Sequence, residues 1–198
     1  MSVFACPHLL DHTEVEDLRK GLLHFGPSVQ RVSEYPQTRY IHVLNARDIP
    51  CVQDVVRKAL HLTRKRTGEV DWCVASTPGA VTLVTAAAGS CHEHQSWHRD
   101  TPYKAYVVCV PLVNVDLDNG CTEILEGSTR TSPNKWRSRL RRKVCAQCRA
   151  GDAYVFDQRL LHRGRANRSN EPRPVLFIAV TKRERPFFLD MTNAEPPL

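Results

Sequence analysis

The chain has 198 residues, of which 41% are hydrophobic and 25% charged, with a formal net charge of +7. That length fills one well-packed domain and falls short of two ordinary ones, and the composition is that of a globular protein in water. No apolar run approaches the roughly 18 residues of a membrane span, and MSVFACPHLLDHTEVED has neither the h-region of a signal peptide nor the acid-poor character of a transit peptide, so the expected location is intracellular, in the cytoplasm.

The first third reads as a mainly helical flank over residues 1–69. In TEVEDLRKGLLHFGP, Thr13 and Glu16 have the spacing of a capping box, Val15, Leu18 and Leu22 share one side, and Gly26-Pro27 is a stop. A second helix is predicted to start near Asp48-Ile49-Pro50. It carries Val52, Val55, Val56 and Leu60 along one stripe and ends at Gly68.

From residue 70 the texture changes. VDWCVAS, AVTLVTAAA, KAYVVCVPLV, CTEILEG, DAYVFD and RPVLFIAVTK are short β-like runs parted by turn residues, which predicts an antiparallel barrel or sandwich core over 70–182, backed by the helices. Residues 131–149 read as an inserted loop or short helix, and the tail MTNAEPPL as frayed.

Much of the positive charge lies in KWRSRLRRK at 135–143. A solvated connector is the plainer reading, and a docking patch for a phosphate- or carboxylate-bearing small molecule the sharper one. The absence of any nucleic-acid motif, and of aromatic residues beyond Trp136 in the run, argues against DNA or RNA as the partner. The eight cysteines are scattered, several within apolar runs, and read as reduced thiols. Cys145-Ala-Gln-Cys148 resembles half a zinc site, but a single CxxC outside a βαβ context supports neither zinc nor a redox dithiol.

The chemistry centres on QSWHRDTPYKAY. Residues two apart on an extended chain face the same way, so His98 and Asp100 can present a nitrogen and an oxygen to one point. Two ligands make a weak site, and the best third is His162 in FDQRLLHRGRAN, with His94 as its substitute. His98, Asp100 and His162 together make a 2-His-1-carboxylate set, which leaves open positions and suits non-haem Fe(II). Arg173 opens the most apolar strand of the last third. A guanidinium entering such a strand is costly unless it meets an anion, and its planar fork suits a carboxylate; the alternative is an edge arginine reaching for solvent.

In their order and separations QSWHRDT, LDNGCTEILEGST, AGDAYVFDQRLLHRG and RPVLFIAVT resemble the phytanoyl-CoA dioxygenase-like family of Fe(II)- and 2-oxoglutarate-dependent oxygenases. The resemblance covers residues 80–182 well and the helical third loosely. It implies a double-stranded β-helix, the jelly-roll barrel of cupins, with His98, Asp100 and His162 on iron and Arg173 on the distal carboxylate of 2-oxoglutarate. The reaction it implies couples decarboxylation of 2-oxoglutarate to succinate with hydroxylation, or related C–H oxidation, of a small organic substrate. The chain departs from the family where NG…PGSH becomes Asn119-Gly120 followed by Glu126-Gly127-Ser128-Thr129. It departs again where a hydroxyl residue two positions after the second histidine becomes Gly164, with Thr85 and Tyr106 the proposed replacement donors. Trp97, Arg99 and Tyr103 are the candidate substrate contacts. Two rival readings stand beside this one: a jelly-roll binding or scaffold module without turnover, and a cupin metalloenzyme that does not use 2-oxoglutarate.

Overall fold

The computed structural model describes residues 3–23, 29–31, 39–44, 49–75, 80–89, 94–129 and 142–182. Among the described residues two helices, α1 (His12–Leu23) and α2 (Pro50–Thr67), pack on a mostly β body. Its strands are β1 (Val3–Cys6), β2 (Val29–Arg31), β3 (Arg39–Val43), β4 (Trp72–Val74), β5 (Val81–Ala86), β6 (Ala105–Pro111), β7 (Thr122–Leu125), β8 (Lys143–Ala146), β9 (Ala153–Asp157), β10 (His162–Gly164) and β11 (Arg173–Lys182). The large antiparallel sheet runs β1-β9-β6-β11-β5-β3-β2, with β4 also on β11, and a small sheet runs β10-β7-β8. These two sheets are the jelly-roll framework.

Alternation on the large sheet separates two cores. On one face Tyr106, Val108 and Val110 of β6 and Leu176, Ile178 and Val180 of β11 join Leu18, Val52, Val55 and Trp72 beneath the helices. On the other face Val107, Cys109 and Val175 meet Ile124 of the small sheet, together with Phe156 of β9. Covered on both sides, β6 is buried along its whole length, which is why AYVVCVP reads as a continuous apolar run.

The second helix starts at Pro50 and ends at Gly68, whose φ of 72° puts it in the left-handed region with its N–H on the Arg64 carbonyl. Val52 and Val55 are buried as the stripe predicts, while Ala59 and Leu62 complete the face and Val56 and Leu60 lie at its margin. The first helix begins one residue earlier than Thr13. The reciprocal cap is formed by Asp11 and Glu14: Glu14 N–H donates to Asp11 Oδ1 at 2.9 Å, and Asp11 N–H to Glu14 Oε2 at 3.0 Å. Both DHTE and TEVE carry the capping spacing, and an aspartate caps as well as a threonine.

The flank is less helical than expected, because residues 1–69 also supply β1, β2 and β3 to the large sheet. Four, three and five residues long, these strands offer too few alternations for a period to stand out. The segment expected as a loop or helix at 131–149 contains β8, paired along β7 from Lys143 to Ala146. Residues 130–141, with most of the basic run, lie outside the described residues, as do His92, Glu93 and the tail. Among the described residues no helix is long and apolar enough to cross a membrane.

Candidate metal centre

His98 and His162 are brought together by backbone. The two residues form an antiparallel bridge in which each N–H donates to the other's carbonyl at 3.0 Å, and two residues on, Asp100 N–H donates to Gln158 O at 3.1 Å. That short ladder continues the small sheet through β10. It sets the imidazoles 4.4 Å apart between centroids and turns Asp100 toward both. Asp100 Oδ1 lies 3.7 Å from His98 Nε2 and 3.4 Å from His162 Nε2. Among the described residues this is the group of three or more His, Cys, Asp or Glu side chains with the spacing to hold a metal ion, all three ligand atoms lying within 4.8 Å of one another.

The donor set also fits in its protonation. His98 Nδ1 is 2.8 Å from Ser96 O and His162 Nδ1 is 3.0 Å from Leu160 O. A carbonyl can only accept, so each ring spends its N–H there and keeps the Nε2 lone pair for the ion. The two histidine side chains are 11% and 8% exposed. Burial opposes ionisation of Asp100, but the charge and hydrogen bond of His162, with His98 beyond it, win and hold the carboxyl below its usual range. The same pairing raises His162 against burial, which alone would lower it. Two neutral imidazoles and one carboxylate are the donor set of a non-haem Fe(II) site with open positions.

A cavity of about 80 Å³ opens beside the triad. Its lining includes Arg39, Thr82, Gln95, Thr122, Gly164 and Arg173. Arg173 is 2% exposed; its Nε donates to Asn119 O at 3.0 Å, while Nη1 is buried with no hydrogen-bond partner. Burial presses its pKa below the ordinary arginine value. A desolvated guanidinium with an N–H to spare, facing a cavity, is the complement of a carboxylate.

The other sequence candidates fall elsewhere. Thr85 sits on the far face of β5, where with Leu83, Leu112 and Arg19 it lines a separate cavity, because Thr82 and Val84, of the opposite alternation, take the triad side. Tyr106 alternates away from Val107 in the same manner. Its ring meets Trp72 edge-on at 5.1 Å under the helices. Alternation thus removes both proposed donors from the triad cavity. Arg99 serves the framework, donating to Arg159 O at 2.9 Å and Ser128 O at 3.0 Å. Trp97 lies beneath the Arg163 guanidinium at 4.7 Å, with the Lys143 ammonium 5.8 Å from its centroid. Tyr103 O accepts from Thr101 Oγ at 2.8 Å. None of these three lines the triad cavity. His94 Nδ1 accepts from Ala166 N–H at 3.0 Å and stands apart from the triad.

Sequence reasoning missed Arg39, Gln95 and Thr122. The signal for Arg39 was the one that exposed Arg173, a charged residue opening an apolar strand, here RYIHV. Gln95 bonds Gly164 in both directions, its N–H to Gly164 O at 2.9 Å and its Oε1 from Gly164 N–H at 2.8 Å, so the loop before His98 is stitched to the strand of His162. The turn after β7 does the same from the other side: Ser128 Oγ, fully buried, donates to Leu125 O and accepts from Leu161 N–H, both at 2.7 Å. Cys148 is pushed up to about 12 by burial and by the charge of Asp152, which leaves a protonated, weakly nucleophilic thiol.

No curated protein matches the chain at the level of sequence. Among solved structures it is similar to SnoN, described as a non-haem α-ketoglutarate-dependent epimerase from nogalamycin biosynthesis, with a TM-score of 0.77 at 19% identity over 100% of this chain and 88% of that one. SnoN has also been solved in complex with Fe3+, α-ketoglutarate and nogalamycin RO, and there the TM-score is 0.75 at 18% identity over 100% and 89% of the two chains. HygX from Streptomyces hygroscopicus, solved with nickel and 2-oxoglutarate, gives 0.67 at 12% identity over 94% and 85%. The family model for phytanoyl-CoA dioxygenase matches residues 9–175. With the fold, the triad and that match over most of its length, the chain belongs to the phytanoyl-CoA dioxygenase family of non-haem Fe(II)- and 2-oxoglutarate-dependent enzymes.

Proposed function

We propose that the chain couples oxidative decarboxylation of 2-oxoglutarate to hydroxylation, or a related C–H oxidation, of a small organic substrate, as one cytoplasmic catalytic domain. The carrying observation is the meeting, in one cavity, of the His98, Asp100 and His162 donors with the buried guanidinium of Arg173 and its unpartnered Nη1. Iron and 2-oxoglutarate, once bound, would supply the oxidising power, O2 being consumed as the oxoacid is converted to succinate and CO2.

The chain's own work is positioning. His98 and His162 offer Nε2 lone pairs fixed by the Ser96 and Leu160 carbonyls, and Asp100 offers its ionised carboxylate. Arg173 takes the distal carboxylate of the oxoacid, which orients its other end toward the triad. Val107, Phe177 and Ala179 give the cavity an apolar wall that limits water around the reacting centre. Trp97 and Tyr103 are the candidate substrate contacts. SnoN, described as an epimerase, has a similar fold, so hydroxylation is one of several outcomes that attack on a C–H bond can have in this fold.

Anaerobic addition of Fe(II) and then 2-oxoglutarate, followed by the visible metal-to-ligand charge-transfer absorption, tests the reading. The band is expected in the parent and lost in His98→Ala, Asp100→Ala and His162→Ala. A parent without the band, yet binding iron, refutes the oxoacid assignment and favours a cupin metalloenzyme of other chemistry. A parent binding neither favours a scaffold module.

A further inference from the structure

We propose that Arg163 is a positioning residue of the metal centre: from the outer face of the small sheet it ties Trp97, the neighbour of His98, to Glu123 of β7, and so fixes how the two histidines face one another. The proposal rests on the metal-centre reading above.

Register carries the first step. His98 and His162 form the bridge, and one residue along from it stand Trp97 on one segment and Arg163 on the other. Alternation turns chain neighbours to opposite faces. His98, His162 and Gly164 line the triad cavity, whereas Trp97 and Arg163 do not. The pair that meets on the outer face therefore stands directly behind the pair of ligands. On its other side Arg163 is opposite Glu123, as His162 is opposite Ile124. Trp97, Arg163 and Glu123 thus make a row across three segments, backing on the row that carries the histidines.

The contacts along that row are close. The Arg163 guanidinium lies 4.7 Å from the centroid of the Trp97 ring, and its Nε donates to Glu123 Oε2 at 2.7 Å. The Glu123 side chain is 7% exposed, so its charge needs an answer, and Arg165 Nη1, 3.8 Å away, is too far to hydrogen-bond. Arg163 supplies the answer. Held by that charge-assisted bond, the guanidinium is kept flat against the indole, and Lys143 of β8 stands 5.8 Å from the same ring.

The third step is what the other bonds leave undone. The carbonyls of Ser96 and Leu160 orient each imidazole within its own segment, and neither relates one segment to the other. The bridge does relate them, setting their separation, but His98 belongs to no strand, and an isolated bridge leaves the roll of its segment about its own axis soft. Roll is what aims a ring. A cross-strand side-chain pair next to the bridge restrains it, and Trp97 with Arg163 is that pair.

The test is titration of the metal-free chain with Co(II) alone, read by calorimetry and by the visible ligand-field absorption, which reports the geometry of the donors. No substrate is present, so a contact between Trp97 and substrate does not enter. Arg163→Met and Trp97→Leu are each expected to weaken Co(II) about tenfold and to change the band, and the double variant to lose no more than either. Trp97→Phe, which keeps a ring under the guanidinium, is expected within threefold of the parent. Glu123→Gln covers the case in which Arg163→Met fails to fold, with a smaller loss and the same change of band. Co(II) affinity within twofold of the parent in folded Arg163→Met, or in Glu123→Gln should that variant not fold, overturns the proposal. Losses that multiply in the double variant overturn it as well, since the two side chains would then act separately, and so does a weaker affinity with an unchanged band, which would mark general loosening. A parent that shows no band, or one that survives in His162→Ala, overturns the metal-centre reading itself.

Discussion

Arg173→Leu should move stability and cosubstrate affinity in opposite directions. In the ligand-free protein the Arg173 guanidinium is buried, with one N–H unanswered and its charge disfavoured by its surroundings. Replacing a buried, incompletely paired charge by an apolar side chain of similar reach is neutral or stabilising by about 1–4 kcal/mol. Against this stands the loss of the bond to Asn119 O, which costs about 1 kcal/mol or a little more. The net is a gain of about 1 kcal/mol, or an unfolding midpoint higher by about 2–4 °C for a chain of this size. With 2-oxoglutarate present the sign reverses, because truncating one partner of a buried charge pair costs roughly 2–5 kcal/mol and the ligand no longer binds at the parent's concentrations. Thermal unfolding with and without 2-oxoglutarate reads both effects in one experiment. A variant that loses several degrees without ligand, yet keeps the parent's ligand-induced shift, would show Arg173 to be a structural strut.

Ser128→Ala should destabilise by about 1–3 kcal/mol, because it leaves the Leu161 N–H without its 2.7 Å acceptor in a buried place. It should also weaken metal affinity, since Leu161 immediately precedes His162, and urea unfolding with and without added metal separates the two losses. With its thiol pushed up to about 12, Cys148 should be alkylated by iodoacetamide far more slowly than a free thiol at pH 8, accelerating as pH rises toward 12; rapid modification at pH 8 by mass spectrometry would refute that environment.

The sequence was most legible where one residue's chemistry was expensive to place. An arginine at the head of RPVLFIAV and a histidine–carboxylate pair before an apolar strand both ask for a partner, and the structure completes the pair with His162 and sets Arg173 along the same cavity. Long strands were legible too, β11 to the residue, because ten apolar-rich positions outweigh any local ambiguity. Thr85 and Tyr106 failed for a narrower reason. Which face of β5 or β6 looks inward depends on register against β11, and a one-residue shift sends a side chain to the opposite face. Apolar on both faces, these strands carry no mark of which side holds the site. Arg39 escaped because its strand reaches the site only through β5, a long-range pairing that local pattern cannot reveal.

The two histidines repeat one device, each ring tethered to the carbonyl two residues before it and the two segments zipped together by backbone. A centre assembled this way owes its geometry in part to the backbone. Its shape is held by backbone bonds as well as by any ion, and such bonds do little to tell one divalent ion from another. Affinity for a prearranged nitrogen and oxygen donor set rises from iron through cobalt and nickel to copper, so selection of iron passes from the protein to the supply of metal around it. The centre is therefore open to mismetallation: a cell that lets its free nickel or cobalt rise would fill this pocket with an ion that holds the oxoacid and does nothing with oxygen.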